Sequence, residues 1–156
     1  GPPEVTKSER LQQIKKFIDD EDTFMVVYGD GLSDLNLHRL LDYHKKHGKM
    51  ATICAYKEPS GRGVLELDEN GTVLDFVEKP IINNWINVGF FIFNKKIFDH
   101  LGKGELENNV LPALAKAGDV KAYKHDGFWM SMDTFRDNIA LNKLWFGGEA
   151  KWKIWK

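Results

Sequence analysis

The sequence predicts an α/β fold, a mixed sheet flanked by helices and carrying a β-hairpin insertion. Three observations predict it. Helical patterns alternate along the chain with short apolar, β-branched runs, the pattern of a sheet with covered faces. Two of those runs flank Asn70-Gly71, the dipeptide of a tight antiparallel turn. The 156 residues are 42% apolar and 29% charged, which suits one globular domain with its own core. A single domain spanning residues 1–156 is therefore expected.

Thr6, with Glu9 three residues later, reads as a capping-box start, and Leu11, Ile14, Phe17 and Ile18 continue it as one apolar helical stripe. The acidic run at residues 19–22 reads as the solvated end of that helix. Residues 23–28 form a β-branched strand that runs into Gly29-Asp30-Gly31. Asp34 is placed to cap a second helix carrying Leu37, Leu40, Leu41 and His44, which Gly48 ends. Residues 51–56 read as a buried strand, and residues 65–67 and 73–77 as the hairpin around Asp68-Glu69-Asn70-Gly71. A hydrophobic strand at 85–93, a short helix at 95–101, a longer one at 107–116, a strand at 120–123 and a closing helix at 133–145 complete the order.

Composition excludes several function classes. The 22 basic and 23 acidic residues are interspersed, so no basic stripe exists to track a nucleic-acid backbone, and no nucleic-acid partner is expected. The longest apolar run, 85–93, is broken by Asn87 and Gly89 and falls short of the roughly 20 residues that cross a bilayer, so no membrane partner is expected. The lone Cys54 has neither a disulfide partner nor metal-spaced neighbours, which suits a reducing cytoplasm. Gly1-Pro2-Pro3 carries no signal-peptide pattern. The five histidines show no metal spacing and no nucleophile beside them, so they read as surface or packing residues. Tryptophans of the tail and an exposed sheet edge favour a homo-oligomeric contact.

In sheets of this class ligands gather beyond the carboxyl ends of the strands, and Gly29-Asp30-Gly31 lies in that place. Flanking glycines let phosphates approach the backbone, although Asp30 alone reads more readily as a turn cap. Asp133 follows an aromatic strand end and could simply cap the last helix. Together the two aspartates could hold one Mg²⁺, which takes one or two protein carboxylates and fills its other positions with water and phosphate. Glu78-Lys79-Pro80 sets a hydroxyl acceptor beside a compact cation at a strand end, a pair that suits a sugar phosphate or a plain surface ion pair. Asn87 is a polar group in an apolar strand and needs partners; Gly89 marks a bulge or a close approach. Residues 60–63, with Arg62, and residues 127–133 are further loop elements that could reach the same crevice.

In order, Tyr28-Gly29-Asp30-Gly31, Glu78-Lys79-Pro80, Trp85-Ile86-Asn87-Val88-Gly89-Phe90-Phe91, and residues 125–137 (HDGFWMSMDTFRD) resemble the sugar-1-phosphate nucleotidylyltransferases, most of all those of the glucose-1-phosphate cytidylyltransferase type. The similarity runs from about Thr6 to the Trp152 and Trp155 tail. It implies a nucleotidyltransferase-like, Rossmann-like sheet and an in-line attack of the sugar-1-phosphate on the α-phosphate of CTP, giving a CDP-sugar and pyrophosphate with Mg²⁺. By matching positions, Asp30 and Asp133 would be metal ligands and Lys79 would bind the sugar phosphate. Glu78 and Asn87 would contact the sugar, with Gly29, Gly31, Gly89 and Arg62 lining the substrate site and Glu107 a weaker match to an acidic position. Two features depart from the family. Its Gly-rich nucleotide-binding opening is absent, so this chain is expected to be the later part of the catalytic domain and inactive alone. An aromatic residue usual between the equivalents of Arg62 and Gly63 is also missing. Another nucleotide (dTTP, GTP) or sugar-1-phosphate, or a non-catalytic sugar-phosphate-binding module, are the competing readings.

Overall fold

The computed structural model describes residues 5–18, 21–81, 83–102 and 104–155; Gly1 to Pro3 and Asp19-Asp20 of the acidic run lie outside them. Helix α1 (Lys7–Ile14) starts with the expected capping box: Thr6 Oγ1 accepts from Glu9 N at 3.1 Å and Glu9 Oε2 accepts from Thr6 N at 2.8 Å. Leu11 of its stripe is buried, but Phe17 is 76% exposed. The helix tightens to 3-10 geometry over Lys15–Phe17, which shifts the phase of the stripe and turns Phe17 outward.

Strand β1 (Thr23–Val27) leads to the short β2 (Gly31–Ser33), an element the sequence pattern does not disclose. Helix α2 (Leu37–His47) follows. Its cap is Asn36, whose side chain accepts from Arg39 N at 3.0 Å, and not Asp34, whose carboxylate is taken by the backbone N–H of Phe128. Gly48 ends α2 in the left-handed region at φ 63° as expected. Strand β3 (Ala51–Tyr56) precedes the hairpin β4 (Val64–Leu67) and β5 (Val73–Val77). Gly71 at φ 84° and Asp68, which accepts from Asn70 N and Thr72 N, build its turn. All residues of both hairpin strands are exposed.

Strand β6 (Ile86–Asn94) is followed by a 3-10 turn and helix α3 (Phe98–Leu101). The single helix expected over 107–116 is instead a π-helical turn (Leu106–Val110) running into α4 (Leu111–Lys116). Pro112 has no N–H for an α-helical bond to residue 108, which accounts for the break. Strands β7 (Val120–Lys124) and β8 (Trp129–Ser131) precede α5 (Phe135–Phe146). Thr134, not Asp133, caps α5, in a second capping box with Asp137.

The main sheet has the order β1-β6-β3-β7; β6 is antiparallel to both neighbours, and β7 is parallel to β3. β1, β3 and β7 therefore point the same way and end at one edge. Alternation along β6 feeds two cores. Phe91 and Phe93 pack with Ile97, Leu101, Leu106 and Leu114 on one face, whereas Val88, Phe90 and Ile92 pack with Leu35, Leu40 and Cys54 on the other. Burial pushes the Cys54 thiol up to about 12, so it stays protonated and packs as a small apolar group. Among the described residues no helix is long and apolar enough to cross a membrane.

Pairing of β3 with β6 shifts between Ile53↔Phe91 and Ala55↔Asn87, a bulge that places Gly89 at φ 76°. A Cβ there would lie 2.8 Å from the Tyr28 ring. Gly89→Ala is expected to destabilise the chain by about 2 kcal/mol or more in urea unfolding, from left-handed strain plus overpacking; an unchanged midpoint would contradict this packing.

Thr52, fully buried on β3, joins two histidines of α2. Lys49 N donates to His47 Nδ1, so His47 Nε2–H donates to Thr52 Oγ1 at 2.8 Å, and the hydroxyl in turn donates to His44 Nδ1 at 2.7 Å. That chain needs a neutral His44. Burial, then the neighbouring His47, holds His44 below the usual histidine range; burial, then Lys121, does the same for His47. A base with a depressed folded pKa contributes its full stability above the unfolded value near 6.5 and loses it as the pH falls. The melting temperature is therefore expected to drop between pH 7.5 and 5.5. His44→Asn, which keeps an acceptor near the Nδ1 position but cannot titrate, should shrink that drop.

Candidate active site

The three co-directional strands deliver their carboxyl ends to one edge, and the sequence-marked residues follow directly from them: Gly29-Asp30 after β1, residues 57–63 after β3, residues 125–133 after β7. β2 and β8 form a short antiparallel ribbon there, pairing Gly31↔Ser131, Leu32↔Met130 and Ser33↔Trp129. Met132 N donates to Asp30 O at 2.8 Å. The ribbon thus brings Asp30 and Asp133, distant in sequence, to the same end. Both are exposed, and neither belongs to an ion pair recorded among the described residues; Asp133 Oδ2 accepts from Ser131 Oγ at 2.7 Å. Two solvated carboxylates with free lone pairs are a hard-oxygen donor set, which fits Mg²⁺ and its preference for few protein ligands plus water and phosphate. Among the described residues no cluster of three or more such ligands exists.

Gly29 faces open space, whereas Gly31 is tightly packed: a Cβ there would lie 3.1 Å from Trp129 Nε1 and 3.6 Å from Val88 O. Trp129 Nε1–H is buried without a partner among the described residues. Tyr28 N donates to Gly89 O at 2.8 Å, which ties the Gly29-Asp30 turn to β6. The space that Gly89 leaves is occupied by the Tyr28 ring. Asn87 differs from expectation. It is exposed at the start of β6, beyond the bulge, and its Oδ1 accepts from Gly89 N at 3.0 Å, so its side chain needs no core partner.

A groove of about 470 Å³ runs from Asp30 and Gly29 past Tyr28 to Lys7 and Arg10 of α1, over Leu11 and Val26. Tyr28, quoted from sequence only as part of its motif, and Lys7, not singled out, both converge on Glu107. The Tyr28 hydroxyl and the Lys7 ammonium each donate to Glu107 Oε1, and Lys7 Nζ sits 4.3 Å from the Tyr28 ring centroid. Burial, then the bond to Glu107, raises the Tyr28 hydroxyl well above its usual range. Burial works to raise the Glu107 carboxyl too, but the Lys7 and Tyr28 donors outweigh it and hold the group below the usual carboxylate value. Glu107 is thus committed to an internal triad that orders one wall of the groove.

Glu78, Lys79, Arg62 and Gly63 form a separate group at the base of the hairpin. Val64 pairs with Val77, and a Cβ on Gly63 would lie 3.1 Å from Glu78 Oε2, so Arg62-Gly63 and Glu78 are neighbours. Ser60 N→Pro80 O at 2.7 Å and the Pro59↔Ile81 bridge close this base. Lys79 is the non-glycine residue at positive φ (47°) among those described, a strained backbone of the kind that concentrates at ligand clamps. No contact recorded among the described residues links this group to the ribbon carboxylates; they share the carboxyl edge of the sheet.

His125, read from sequence as a surface or packing residue, is buried at the exit of β7. Its Nε2 lies 3.1 Å from Ser33 Oγ, from Asp34 Oδ1 and from Phe128 O. No sequence spacing discloses this cluster, because its members meet only through the β2–β8 pairing.

Comparison with known proteins identifies the family. Residues 8–144 match the family model described as nucleotidyl transferase. The glucose-1-phosphate cytidylyltransferase of Salmonella typhi is 39% identical over 150 residues, 94% of this chain and 58% of the relative. The mannose-1-phosphate guanylyltransferase catalytic subunit beta of Drosophila pseudoobscura pseudoobscura is 34% identical over 123 residues, 75% of this chain and 33% of the relative. The crystal structure of HddC from Yersinia pseudotuberculosis superposes with a TM-score of 0.65 at 22% identity, covering 90% of this chain and 62% of that one, a likeness of fold. The chain spans 58% of the length of the Salmonella relative. With the expected mixed α/β sheet and the family motifs in their strand-end places, the chain belongs to the nucleotidyl transferase family of sugar-1-phosphate nucleotidylyltransferases.

Proposed function

We propose that this chain, within the full-length enzyme, serves Mg²⁺-dependent transfer of a cytidylyl group from CTP to glucose-1-phosphate, giving CDP-glucose and pyrophosphate. The observation that carries the reading is the β2–β8 pairing, which gathers Asp30 and Asp133 at one open end of the site. Support for the substrates comes from the 39% identity to a glucose-1-phosphate cytidylyltransferase over 94% of the chain.

A phosphate oxygen of the sugar-1-phosphate attacks the α-phosphorus of CTP in line, and the bond from that phosphorus to the bridging oxygen of the leaving pyrophosphate breaks. The attacking oxygen is already anionic, so no general base is needed, and catalysis reduces to positioning and charge neutralisation. Lys79 supplies a positive charge for the sugar phosphate from a residue at positive φ. Glu78 and Asn87 are exposed hydrogen-bonding groups suited to sugar hydroxyls. Asp30 and Asp133 would hold the Mg²⁺, which supplies neutralisation of the phosphate charge when bound. Arg10, which lines the same groove as Asp30, adds a cationic group beside the space a polyphosphate would fill.

The test is turnover of the full-length enzyme with glucose-1-phosphate and CTP, UTP, dTTP or GTP, with and without Mg²⁺. CTP is expected to give the highest kcat/KM. Asp30→Asn and Asp133→Asn should each lower kcat by about 10²-fold or more while the far-UV circular dichroism stays unchanged. A preference for GTP would move the assignment to guanylyl transfer. Unchanged turnover in both variants would remove the two aspartates from the mechanism.

A further inference from the structure

We propose that His125 is a positioning residue for the Asp30 and Asp133 pair, acting through Ser33 and Asp34 at the opposite end of the β2–β8 ribbon. The inference rests on the metal-ligand reading of the two aspartates.

The ribbon has only three residue pairs, and a two-stranded sheet of that size does not hold its own geometry in water. Something must fix it to the main sheet. Gly31↔Ser131 lies at the carboxylate end and Ser33↔Trp129 at the other, and the contacts gather at the latter. His125 is anchored by its own backbone, N donating to Ala55 O of β3 at 2.8 Å, and the residue is 8% exposed. Three oxygens surround Nε2 at 3.1 Å: Ser33 Oγ, Asp34 Oδ1 and Phe128 O.

The chemistry of those oxygens assigns the proton. Phe128 O and the Asp34 carboxylate only accept, and the Ser33 hydroxyl donates its hydrogen to Phe128 O at 2.8 Å, so Nε2 carries the hydrogen and donates. Asp34 Oδ1 also accepts from Phe128 N at 2.8 Å, and Ser33 Oγ accepts from Leu35 N at 3.1 Å. One imidazole thus binds side chains or backbone from both ribbon strands' flanks and ties them to β3. Gly127 makes room for it: a Cβ there would fall 2.3 Å from Asp34 Oδ1 and 2.8 Å from His125 Cε1. From this clamp to the Asp30 end is three residues of chain, about 10 Å. Tyr28 N→Gly89 O still holds the Asp30 strand to β6, but among the described residues β8 pairs only with β2, so loss of the clamp frees the Asp133 strand and spreads the two carboxylates over many separations.

The experiment measures Mn²⁺ affinity of the full-length enzyme by electron paramagnetic resonance of the free ion, together with kcat and the KM for glucose-1-phosphate. His125→Leu is expected to weaken Mn²⁺ binding about tenfold and to lower kcat, with the sugar-phosphate KM changed less than about twofold. His125→Gln, whose amide can place an N–H where Nε2–H stands, should recover Mn²⁺ affinity to within about threefold. If His125→Leu does not fold, Ser33→Ala replaces it, and about threefold weaker Mn²⁺ binding is expected. Unchanged Mn²⁺ affinity in the folded Leu or Ala variant overturns the proposal, as does a folded Gln variant no better than Leu. Asp30→Asn separates the two levels. If it abolishes Mn²⁺ binding while the His125 variants bind normally, only the positioning role fails; if it leaves binding intact, the metal reading fails and the positioning role with it.

Discussion

The seating of β6 between β1 and β3 is the constraint on which the rest of this structure depends. Its side chains alternate between two cores, so residues 88–93 are all buried and the strand can slip by no single residue without exchanging Phe91 and Phe93 for Phe90 and Ile92. Fixed register on β6 fixes where β1 ends, because Thr23↔Asn94 through Val27↔Phe90 pair in step. It also fixes where the bulge falls. Gly89 then receives the Tyr28 ring and bonds its backbone, so the turn that carries Asp30 leaves the sheet at one defined place.

From that edge the chain builds its polar groups in a hierarchy of support. The Tyr28–Glu107–Lys7 triad is internally neutralised and stiffens the groove wall, with the π-helical turn before Pro112 presenting Glu107. Asp30 and Asp133 differ in kind: exposed, unpaired by any recorded cation, and brought together by the backbone pairing of a short ribbon. Structure-forming charges are satisfied, and those assigned to the chemistry are left with free lone pairs. The arrangement suits the proposed function, in which the site would take a metal and a polyphosphate from water.

Much of this was legible in the sequence because it is local. Thr6 with Glu9, Gly48, Asn70-Gly71 and the hydrophobic strand at 85–93 each encode their conformation within a few residues, and each appears where expected. The failures are equally physical. Asp34 lost the cap of α2 to Asn36 because a tertiary donor, Phe128 N, claims its carboxylate. Asn87 is exposed because the bulge at Gly89 removes it from the buried stretch. β2 and β8 are three residues each and stable only as a pair, so neither leaves a periodic trace; the His125 cluster they assemble was invisible for the same reason. The aspartates were marked by their motifs, but their meeting is a long-range event.

The central claim is that one ribbon makes a single metal site from two distant aspartates. Anomalous diffraction from a crystal of the full-length enzyme loaded with Mn²⁺ tests it most directly. The account predicts one peak at the ribbon end within about 2 Å of an oxygen of both Asp30 and Asp133. A peak bound by only one of them, or a metal held elsewhere with both carboxylates empty, would contradict it.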